Sequence, residues 1–572
     1  MVPKPPLGAL CALSLALSVA SGLSNNAERI QPNHEHAINR ANMVFNAIHS
    51  AGRQWGSSLY HNGFGLFPAI VPQGALFYHG ARQNVTPPGP EWLAFEIEHA
   101  ENFATSIKSR PGKGRVRPPP KDDKPGKQKP MAGEEFREEL RRREDQTFNM
   151  DGDDLNDEDG PHKTENYRGY LHTYQANRDL NVLLVDGMSA GKTAMGTLDT
   201  QDLLLRENTT SHDVGGWDEW RRALDLCDIA TEWGYDGFVR VEIGFEIIHC
   251  NFSMGVDLVS MTRTEMPEDW IGKQEMSPFQ WARAVAERYN DIGGDRLRID
   301  YSSMVSGLFF PINISSSDVD RPDLLRLGAA TLGELKDIKA YLKDIATQPR
   351  RFTVNWQGLV DLIVSRFNKR LVSMAYESLP SRHFIGEIEG ATLTWVDAPA
   401  LPDDVTLAQV DEVNGTAEAI ERCRKHFLRP ALLAKERWSR EDDLIHTSID
   451  TVMKTICRDI FSVRSRLLEA SGSSSSGYRI NREYADERKM DDAVQAGRVA
   501  VQQLVNILGW TTWKQSQPCA PDEVLFIAMW PFGEEEDHWN PGCRSVEQIK
   551  HPSNSYWNRH FGPPKPKPSK EA

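Results

Sequence analysis

The stretch Gly237-Phe-Val-Arg-Val-Glu-Ile-Gly-Phe-Glu-Ile-Ile-His-Cys250 decides the fold of this 572-residue chain. Its apolar residues alternate with other residues, and that period of two predicts one long β-strand. Val239, Val241, Ile243 and Phe245 form one face.

Two glutamates lie in this predicted strand, and they are the first candidates for chemistry. Glu242 and Glu246 stand four residues apart, on one face but about 13 Å apart at ~3.3 Å per residue. Paired carboxylates of glycosidases lie about 5–9.5 Å apart, so the two cannot act together, although either could act with a partner from elsewhere. The alternative, purely structural interpretation of Glu242 is a salt bridge with Arg240 or Arg221 at the rim of the sheet. Glu246 lies among Ile243, Phe245 and Ile247, where a carboxylate is costly unless it is paired or used.

Shorter apolar runs on the N-terminal side predict further strands at 75–78, 92–95, 170–174 and 180–185. Helical periodicity predicts helices over 28–51, 98–106 and 217–231. After residue 318 the pattern becomes helical. The capping boxes Thr331-Leu-Gly-Glu334 and Ser439-Arg-Glu-Asp442 open two of these helices.

The expected fold class is therefore α+β: a mixed N-terminal α/β domain followed by a mainly α-helical, disulfide-bonded C-terminal half. Residues 108–166 interrupt it with nine basic residues in 108–129 and six acids in 151–159, a composition that predicts a disordered insertion. The predicted division is a signal peptide (1–22), the α/β domain in two parts (24–107 and 167–317), the insertion (108–166), a helical domain (318–470), a flexible spacer (471–477), a C-terminal helix with a Cys/Trp-rich segment (478–562) and a disordered tail (563–572).

The start of the chain predicts secretion. Lys4 precedes a short apolar run, Leu7 to Ala20, and Ala20-Ser21-Gly22 supplies small residues for cleavage. The formal charge of −15 argues against nucleic-acid binding and against adhesion to anionic lipid. We expect no membrane span in the mature protein, and the oligomeric state is left open.

Removal of the signal peptide would leave six cysteines, an even number suited to an oxidising compartment. They fall into close pairs, so nearest-neighbour disulfides are expected among 15 formal connectivities. The expected disulfides are Cys227–Cys250, Cys423–Cys457 and Cys519–Cys543. Sequons predict N-glycosylation, and therefore surface positions, at Asn84, Asn208, Asn251, Asn313 and Asn414.

Two motifs that suggest ligands are rejected, and no metal site is predicted. The acidic run from Asp151 lacks the spacing of a calcium loop. Asp186-Gly-Met-Ser-Ala-Gly-Lys-Thr193 follows a strand as a phosphate loop does, but Asp186 occupies the position of the first glycine. We interpret it as a glycine-rich turn.

The order Tyr78-His79-Gly80, Trp92-Leu-Ala-Phe95, a helix, and later Phe245-Glu246-Ile-Ile248 resembles the ADP-ribosyltransferase fold. The resemblance implies that His79 binds a ribose, Gly80 lets the nucleotide approach, Phe95 lies near the nicotinamide and Glu246 is catalytic, with NAD as substrate. A carboxylate would stabilise the oxocarbenium-like state of that reaction.

The chain as a whole resembles a large group of uncharacterised secreted proteins of filamentous fungi. The resemblance is carried by Trp55-Gly-Ser-Ser58, Asp199-Thr-Gln-Asp202 and the region 237–250, and it implies no reaction. Two alternatives to the transferase therefore stay open. One is a non-catalytic extracellular or wall-associated interaction protein, and the other is a carbohydrate hydrolase, which would need two carboxylates from different strands.

Overall fold

A computed structural model describes residues 29–101, 103–109, 164–193, 195–207, 219–263, 278–292, 295–316, 318–397, 415–472, 480, 486–515, 518–549 and 556–557. Most of the predicted insertion and most of the spacer lie outside these residues, and so do the predicted signal peptide, Asn208, Asn414 and the tail. The protein is mixed α/β, as expected, with one large mixed sheet and extensive helical packing.

Ten strands form the large sheet, in the order β10-β6-β2-β3-β9-β8-β7-β1-β11, and β12 also pairs with β1. The strands of this sheet are β1 (Asn62–Val71), β2 (Leu76–Ala81), β3 (Glu91–Ala94), β6 (Tyr170–Ala176), β7 (Leu180–Gly187), β8 (Gly237–Val241), β9 (Phe245–His249), β10 (Val256–Arg263), β11 (Arg298–Ile299) and β12 (Val305–Ser306). All pairs are antiparallel except β7 with β8, which are joined by a crossover that includes a helix.

Two small ribbons complete the strands. β4 (Thr105–Ser109) pairs with β5 (Thr164–Arg168), and β13 (Val524–Phe526) pairs with β14 (Gly542–Arg544). The first ribbon takes in residues 108–109 and 164–166, so the ends of the predicted insertion are β-structure. The helix predicted over 98–106 is shorter for the same reason, because the chain becomes β4 at Thr105.

Fourteen α-helices lie in the described part of the chain. They are α1 (His34–Asn39), α2 (Ala41–Ser50), α3 (Gln54–Leu59), α4 (Ile97–Glu101), α5 (Glu219–Trp233), α6 (Pro278–Ala286), α7 (Leu332–Ala346), α8 (Trp356–Ala375), α9 (Ser381–Thr392), α10 (Gly415–His426), α11 (Arg429–Leu432), α12 (Arg440–Ala470), α13 (Glu487–Leu508) and α14 (Glu535–Trp539). Both predicted capping boxes are present, at the starts of α7 and α12. Of the described helices, none is long and apolar enough to cross a membrane.

The helical layer is built from both ends of the chain. The long helix α12 packs against α2 as well as against α10 and α13. Asn46 of α2 donates a hydrogen bond to the Leu508 carbonyl at the end of α13, across 462 residues of sequence. One large apolar core spans the sheet and these helices, and a smaller core joins α3 and α6 to the C-terminal segment around Phe526 and Trp557.

Three disulfides link the cysteines in the pairs expected from their spacing: Cys227–Cys250, Cys423–Cys457 and Cys519–Cys543. The first ties α5 to the end of β9, and the second ties α10 to α12. Three disulfides in one chain are typical of extracellular proteins. Of the sequon asparagines, Asn84, Asn251 and Asn313 are exposed.

Candidate functional site: a buried carboxylate pair

The predicted long strand over 237–250 is broken by a tight turn, and this turn creates the candidate site. The Glu242 N–H donates to the Gly244 carbonyl at 2.9 Å, and the chain returns as β9 antiparallel to β8. A Cβ on Gly244 would lie 2.7 Å from Glu96 Oε2 and 2.9 Å from His99 Nδ1, so a larger residue here would displace those two side chains. An isolated glycine inside a strand pattern is the sequence signal for such a turn.

The prediction that Glu242 and Glu246 lie about 13 Å apart on one strand is therefore wrong. Glu242 stands in the turn and Glu246 on the returning strand. One side-chain oxygen from each, together with a ring nitrogen of His99, lies within 4.8 Å of the others. Both glutamates are buried, with side chains 4% and 5% exposed.

Glu242 is held by two cationic partners. His99 Nε2, from α4, donates to Glu242 Oε1 at 2.9 Å, and Lys192 Nζ donates to Glu242 Oε2 at 3.0 Å. Gln54 of α3 fixes the backbone at the same residue by donating to the Glu242 carbonyl at 2.7 Å. Lys192 belongs to the glycine-rich turn after β7, so in this structure that turn supplies a cation to a carboxylate.

Glu246 is held by Arg240, its partner across the β8–β9 hairpin. Arg240 Nη2 and Nε donate to Glu246 Oε1 at 2.5 Å and 3.1 Å. The guanidinium also donates to Glu219 at the start of α5 and, at 3.1 Å, to Gln201 Oε1. Arg240 is fully buried, so every one of its charge partners lies within the protein.

A π-helical turn at Thr200–Leu205 supplies the outer part of the network. It carries Gln201 and also Asp202, whose oxygens accept from Arg222 at 2.8 Å and 2.9 Å and from Arg206 at 2.9 Å. Arg222 in turn pairs with Glu219, which closes the chain of ion pairs back to Arg240. Single π turns occur often at functional sites, where the extra residue redirects side chains.

The pKa values of the two carboxyl groups are shifted in opposite directions. Burial raises the pKa of Glu242, but the Lys192 ammonium and the hydrogen bond from His99 outweigh burial and lower it to about 2. Burial and the neighbouring Glu242 charge raise the pKa of Glu246 despite Arg240. Burial lowers the pKa of His99, yet its hydrogen bond to Glu242 and the surrounding carboxylates raise it overall. The pair therefore holds one ionised carboxylate and one with a strengthened hold on its proton.

The edge of the network faces solvent beside tryptophans. Lys192 is 14% exposed and lies 4.7 Å from the centre of the Trp530 ring. Glu219 is 16% exposed, and the next residue, Trp220, packs edge-on against Trp92 at 5.1 Å. Exposure thus increases from the pair outward along Lys192 and Glu219.

His99, Glu242 and Glu246 bring three donor atoms close enough to share a divalent cation. Lys192 already contributes a positive charge at 3.0 Å from Glu242, and Arg240 contributes another beside Glu246. The donor set is thus balanced by the protein's own cations, and the arrangement suits proton transfer better than metal binding.

The predicted partner of Glu246, His79, does not meet it. The register Tyr78–Ala94–Glu246 puts Tyr78 on the face of Glu246, so the side chain of the next residue, His79, points to the opposite face of the sheet. His79 Nδ1 donates to the Trp92 carbonyl at 2.9 Å, and its ring packs against His172 and Phe252. Burial lowers the pKa of His79 to about 4, so it is neutral at physiological pH.

Gly80 and Phe95, the two residues expected to contact a nucleotide, both pack closely against other parts of the protein. A Cβ on Gly80 would lie 2.0 Å from the Ala100 carbonyl oxygen. The absence of a side chain at Gly80 therefore allows the backbone of α4 to pack closely against β2. Phe95 is 1% exposed and packs against Phe77 and Phe245. The expectation that His79, Gly80, Phe95 and Glu246 line one cleft is not met, because strand alternation separates His79 from Glu246.

Comparison with known proteins gives similarity to yeast proteins. Residues 34–277 match the family model described as the YPL277C N-terminal domain. The chain is 26% identical over 564 residues to "Uncharacterized protein YOR389W" of Saccharomyces cerevisiae, covering 86% of this chain and 82% of that protein. It is 33% identical over 244 residues to "Uncharacterized protein YPL277C" of the same yeast, covering 40% of this chain and 44% of that protein. No solved structure matches the chain.

These similarities support a relationship to uncharacterised fungal proteins and assign no reaction. The matched range, 34–277, contains Glu96, His99, Lys192, Glu242 and Glu246. The carboxylate pair and its charged partners thus lie inside the part of the chain that the family model covers, whereas Trp530 lies outside it.

Proposed function

We propose that this protein is a glycosidase that hydrolyses a carbohydrate, with Glu246 as the acid and Glu242 as the carboxylate that faces the anomeric carbon. The observation that carries the proposal is the pair itself, in which a carboxylate from the turn and one from the returning strand lie together with their pKa values moved apart. Such divergence assigns the acid and the base in carboxylate enzymes.

The chemistry needs both groups. Glu246 protonates the leaving oxygen as the glycosidic bond breaks, and ionised Glu242 stabilises or captures the positive anomeric carbon. Water then adds to that carbon while Glu246 takes back a proton. The facing oxygens lie within 4.8 Å, which is closer to the short separation of about 5–5.5 Å of retaining enzymes than to the wider one of inverting enzymes.

Cleavage of NAD is the less suited alternative. Nicotinamide leaves as a neutral base and needs no proton. That reaction would therefore use one carboxylate and would have no role for Glu246 as a general acid. The implied ribose-binding residue, His79, also lies across the sheet from Glu246. Lys192 and Glu219 are the partly exposed members of the network, and they lie beside Trp530 and Trp220, so a substrate reaching the pair would pass them.

The proposal includes secretion as an N-glycosylated protein. Three disulfides and the exposed sequon residues Asn84, Asn251 and Asn313 support it. Expression of the full chain in a fungal host tests this directly. The protein should accumulate in the medium, and endoglycosidase treatment should reduce its mass. An intracellular, unglycosylated product would contradict secretion while leaving the carboxylate chemistry untouched.

The decisive experiment compares two leaving groups. Purified wild-type protein is assayed on a panel of 2,4-dinitrophenyl glycosides, whose leaving group needs no acid, and on the matching unactivated oligosaccharides. Glu246→Gln should lower kcat on oligosaccharides about 10²–10⁴-fold and spare bond cleavage in the dinitrophenyl substrates. Glu242→Gln should abolish both.

Asp202→Asn is the matched control, because it removes a buried charge from the same network without touching the pair. An equal loss of activity in Asp202→Asn and Glu246→Gln would mean that the network is only structural. If the folded wild type cleaves none of the glycosides, the glycosidase assignment fails. Nicotinamide release from NAD in a parallel assay would then favour the transferase-like reaction, and silence there too would favour a non-catalytic extracellular protein.

A further inference from the structure

A second site lies away from the carboxylate pair, in a cavity of about 590 Å³ between the N-terminal helices and the end of α13. One wall is apolar and carries Met43, Leu308, Leu324, Val505 and Trp510. At the rim, Ile507 is 55% exposed and Trp539 is 38% exposed. Cavities of this size, mostly apolar with few polar groups, are the usual form of small-molecule sites.

Several buried polar atoms on residues lining this cavity have no hydrogen-bond partner among the described residues. They are Asn46 Oδ1, Ser50 Oγ, His61 Nδ1, Asn62 Oδ1, Trp510 Nε1 and His538 Nδ1. A buried polar group without a partner costs about 1–3 kcal/mol, so six of them around one cavity call for polar partners there. The carbonyl oxygens of Asn46 and Asn62 require donors.

Asp186 gives the cavity its charge. It is the penultimate residue of β7, is 7% exposed and lines the cavity. Glycines crowd its backbone, since a Cβ on Gly63 would lie 2.0 Å from the Asp186 carbonyl, and Gly187 has a φ of +73°. Among the described residues, no Lys, Arg or His side chain forms an ion pair with this carboxylate. Burial raises the pKa of Asp186 to about 7.

The second acid that lines the cavity has cations beside it. Asp323 is neutralised by Arg321 at 2.8 Å, and Lys514 also lines this region. A ligand with positive charge at both ends would meet these cations. A ligand with one positive end and an apolar body would satisfy Asp186 without that repulsion.

We propose that this cavity binds an amphiphilic amine, with its ammonium group on Asp186 and its hydrocarbon body against the wall of Leu, Val and Trp side chains. The amine N–H groups supply the donors that Asn46 Oδ1 and Asn62 Oδ1 lack. The site is independent of the proposed glycosidase activity, because its residues are separate from the Glu242–Glu246 pair.

The test uses n-decylamine, n-decanoate and n-decanol below their aggregation concentrations, titrated at pH 8 into the full-length protein. The fluorescence of Trp510, Trp513 and Trp539, which line the cavity, reports binding. Decylamine should bind at least tenfold more tightly than decanoate. Asp186→Asn should remove that preference, whereas Asp323→Asn, which changes the other acid of the cavity, should keep it.

A second variant separates the cavity from surface binding of the hydrocarbon chain. Val505→Trp fills the apolar wall and should abolish decylamine binding even where Asp186 is intact, while circular dichroism shows that the fold is retained. Equal affinities for decylamine and decanoate, or an unchanged preference in Asp186→Asn, would overturn the assignment. Unaltered binding by Val505→Trp would likewise show that the amine lies elsewhere.

Discussion

Replacement of Asp186 by asparagine should stabilise the protein, and by an amount that depends on pH. The ordinary pKa of an aspartic acid is 3.8, and burial raises that of Asp186 to about 7. Between these values the unfolded chain is ionised at this residue while the folded protein keeps the proton. The unfolded state therefore binds fewer protons, and the free energy of unfolding falls as pH rises from about 4 to about 7.

The magnitude follows from the same two values. At about 1.4 kcal/mol per pH unit, a difference of about three units corresponds to a penalty of about 4 kcal/mol above pH 7. Asparagine has nearly the same shape and cannot ionise, so the variant escapes this penalty. Asp186→Asn and wild type should be alike at pH 4 and differ by up to about 4 kcal/mol at pH 8.

Urea unfolding of both proteins at pH 4, 6 and 8 measures this difference. Burial lowers the pKa of His61 to about 3, so this residue adds a pH dependence of its own, but both proteins contain it and its contribution cancels in their difference. Asp323→Asn is a control of opposite sign. Its pKa is lowered by the hydrogen bond from Arg321, which outweighs burial, so this change should destabilise the protein at pH 8. A constant difference between Asp186→Asn and wild type across the three pH values would refute the reasoning.

Three further changes test the architecture of the site by urea unfolding. Arg240→Met removes the cation shared by Glu219 and Glu246 and should cost about 3–5 kcal/mol, because it leaves buried carboxylates unpaired. In the double variant with Glu246→Gln as well, part of that loss in stability should be recovered. Purely additive effects of the two changes would contradict coupling between Arg240 and Glu246. Gly80→Ala puts a methyl group 2.0 Å from a carbonyl oxygen of α4 and should cost about 1–3 kcal/mol; an unchanged midpoint would mean that α4 moves freely. Replacing Cys227 and Cys250 together by serine should cost about 3 kcal/mol, from the loop of 23 residues that the disulfide closes, and a loss below 1 kcal/mol would show that the unfolded chain is not restricted there.

Local patterns predicted the elements well. The capping boxes at Thr331 and Ser439 mark the starts of α7 and α12 because the residues that form each box lie within one helical turn. The apolar run from Leu180 became β7, and close spacing gave the three disulfides. Each of these signals is short in sequence, so a single chain reveals it.

The candidate site could not be predicted in the same way. His99 and Lys192 meet Glu242 from 143 and 50 residues away, and no local pattern pairs them. Ile243 and Phe245 continue the alternation of apolar residues across the turn at Gly244, so the pattern predicted one unbroken strand. That glycine was the available signal, together with Arg240 and Glu242 among aliphatic residues, where only mutual pairing makes buried charges tolerable.

Because the helical layer is formed from both ends of the chain, its packing can be completed only late in biosynthesis. Helix α2 cannot bury its apolar face until α12 and α13 exist, since Asn46 finds its partner only at Leu508. At about 5–20 residues per second, a ribosome needs roughly 20–90 seconds to make the 462 residues between them. Throughout that interval Val44, Phe45 and Ile48 are exposed on the nascent chain. A chain truncated before α13 would therefore leave Asn46 without its partner and part of the apolar face of α2 uncovered.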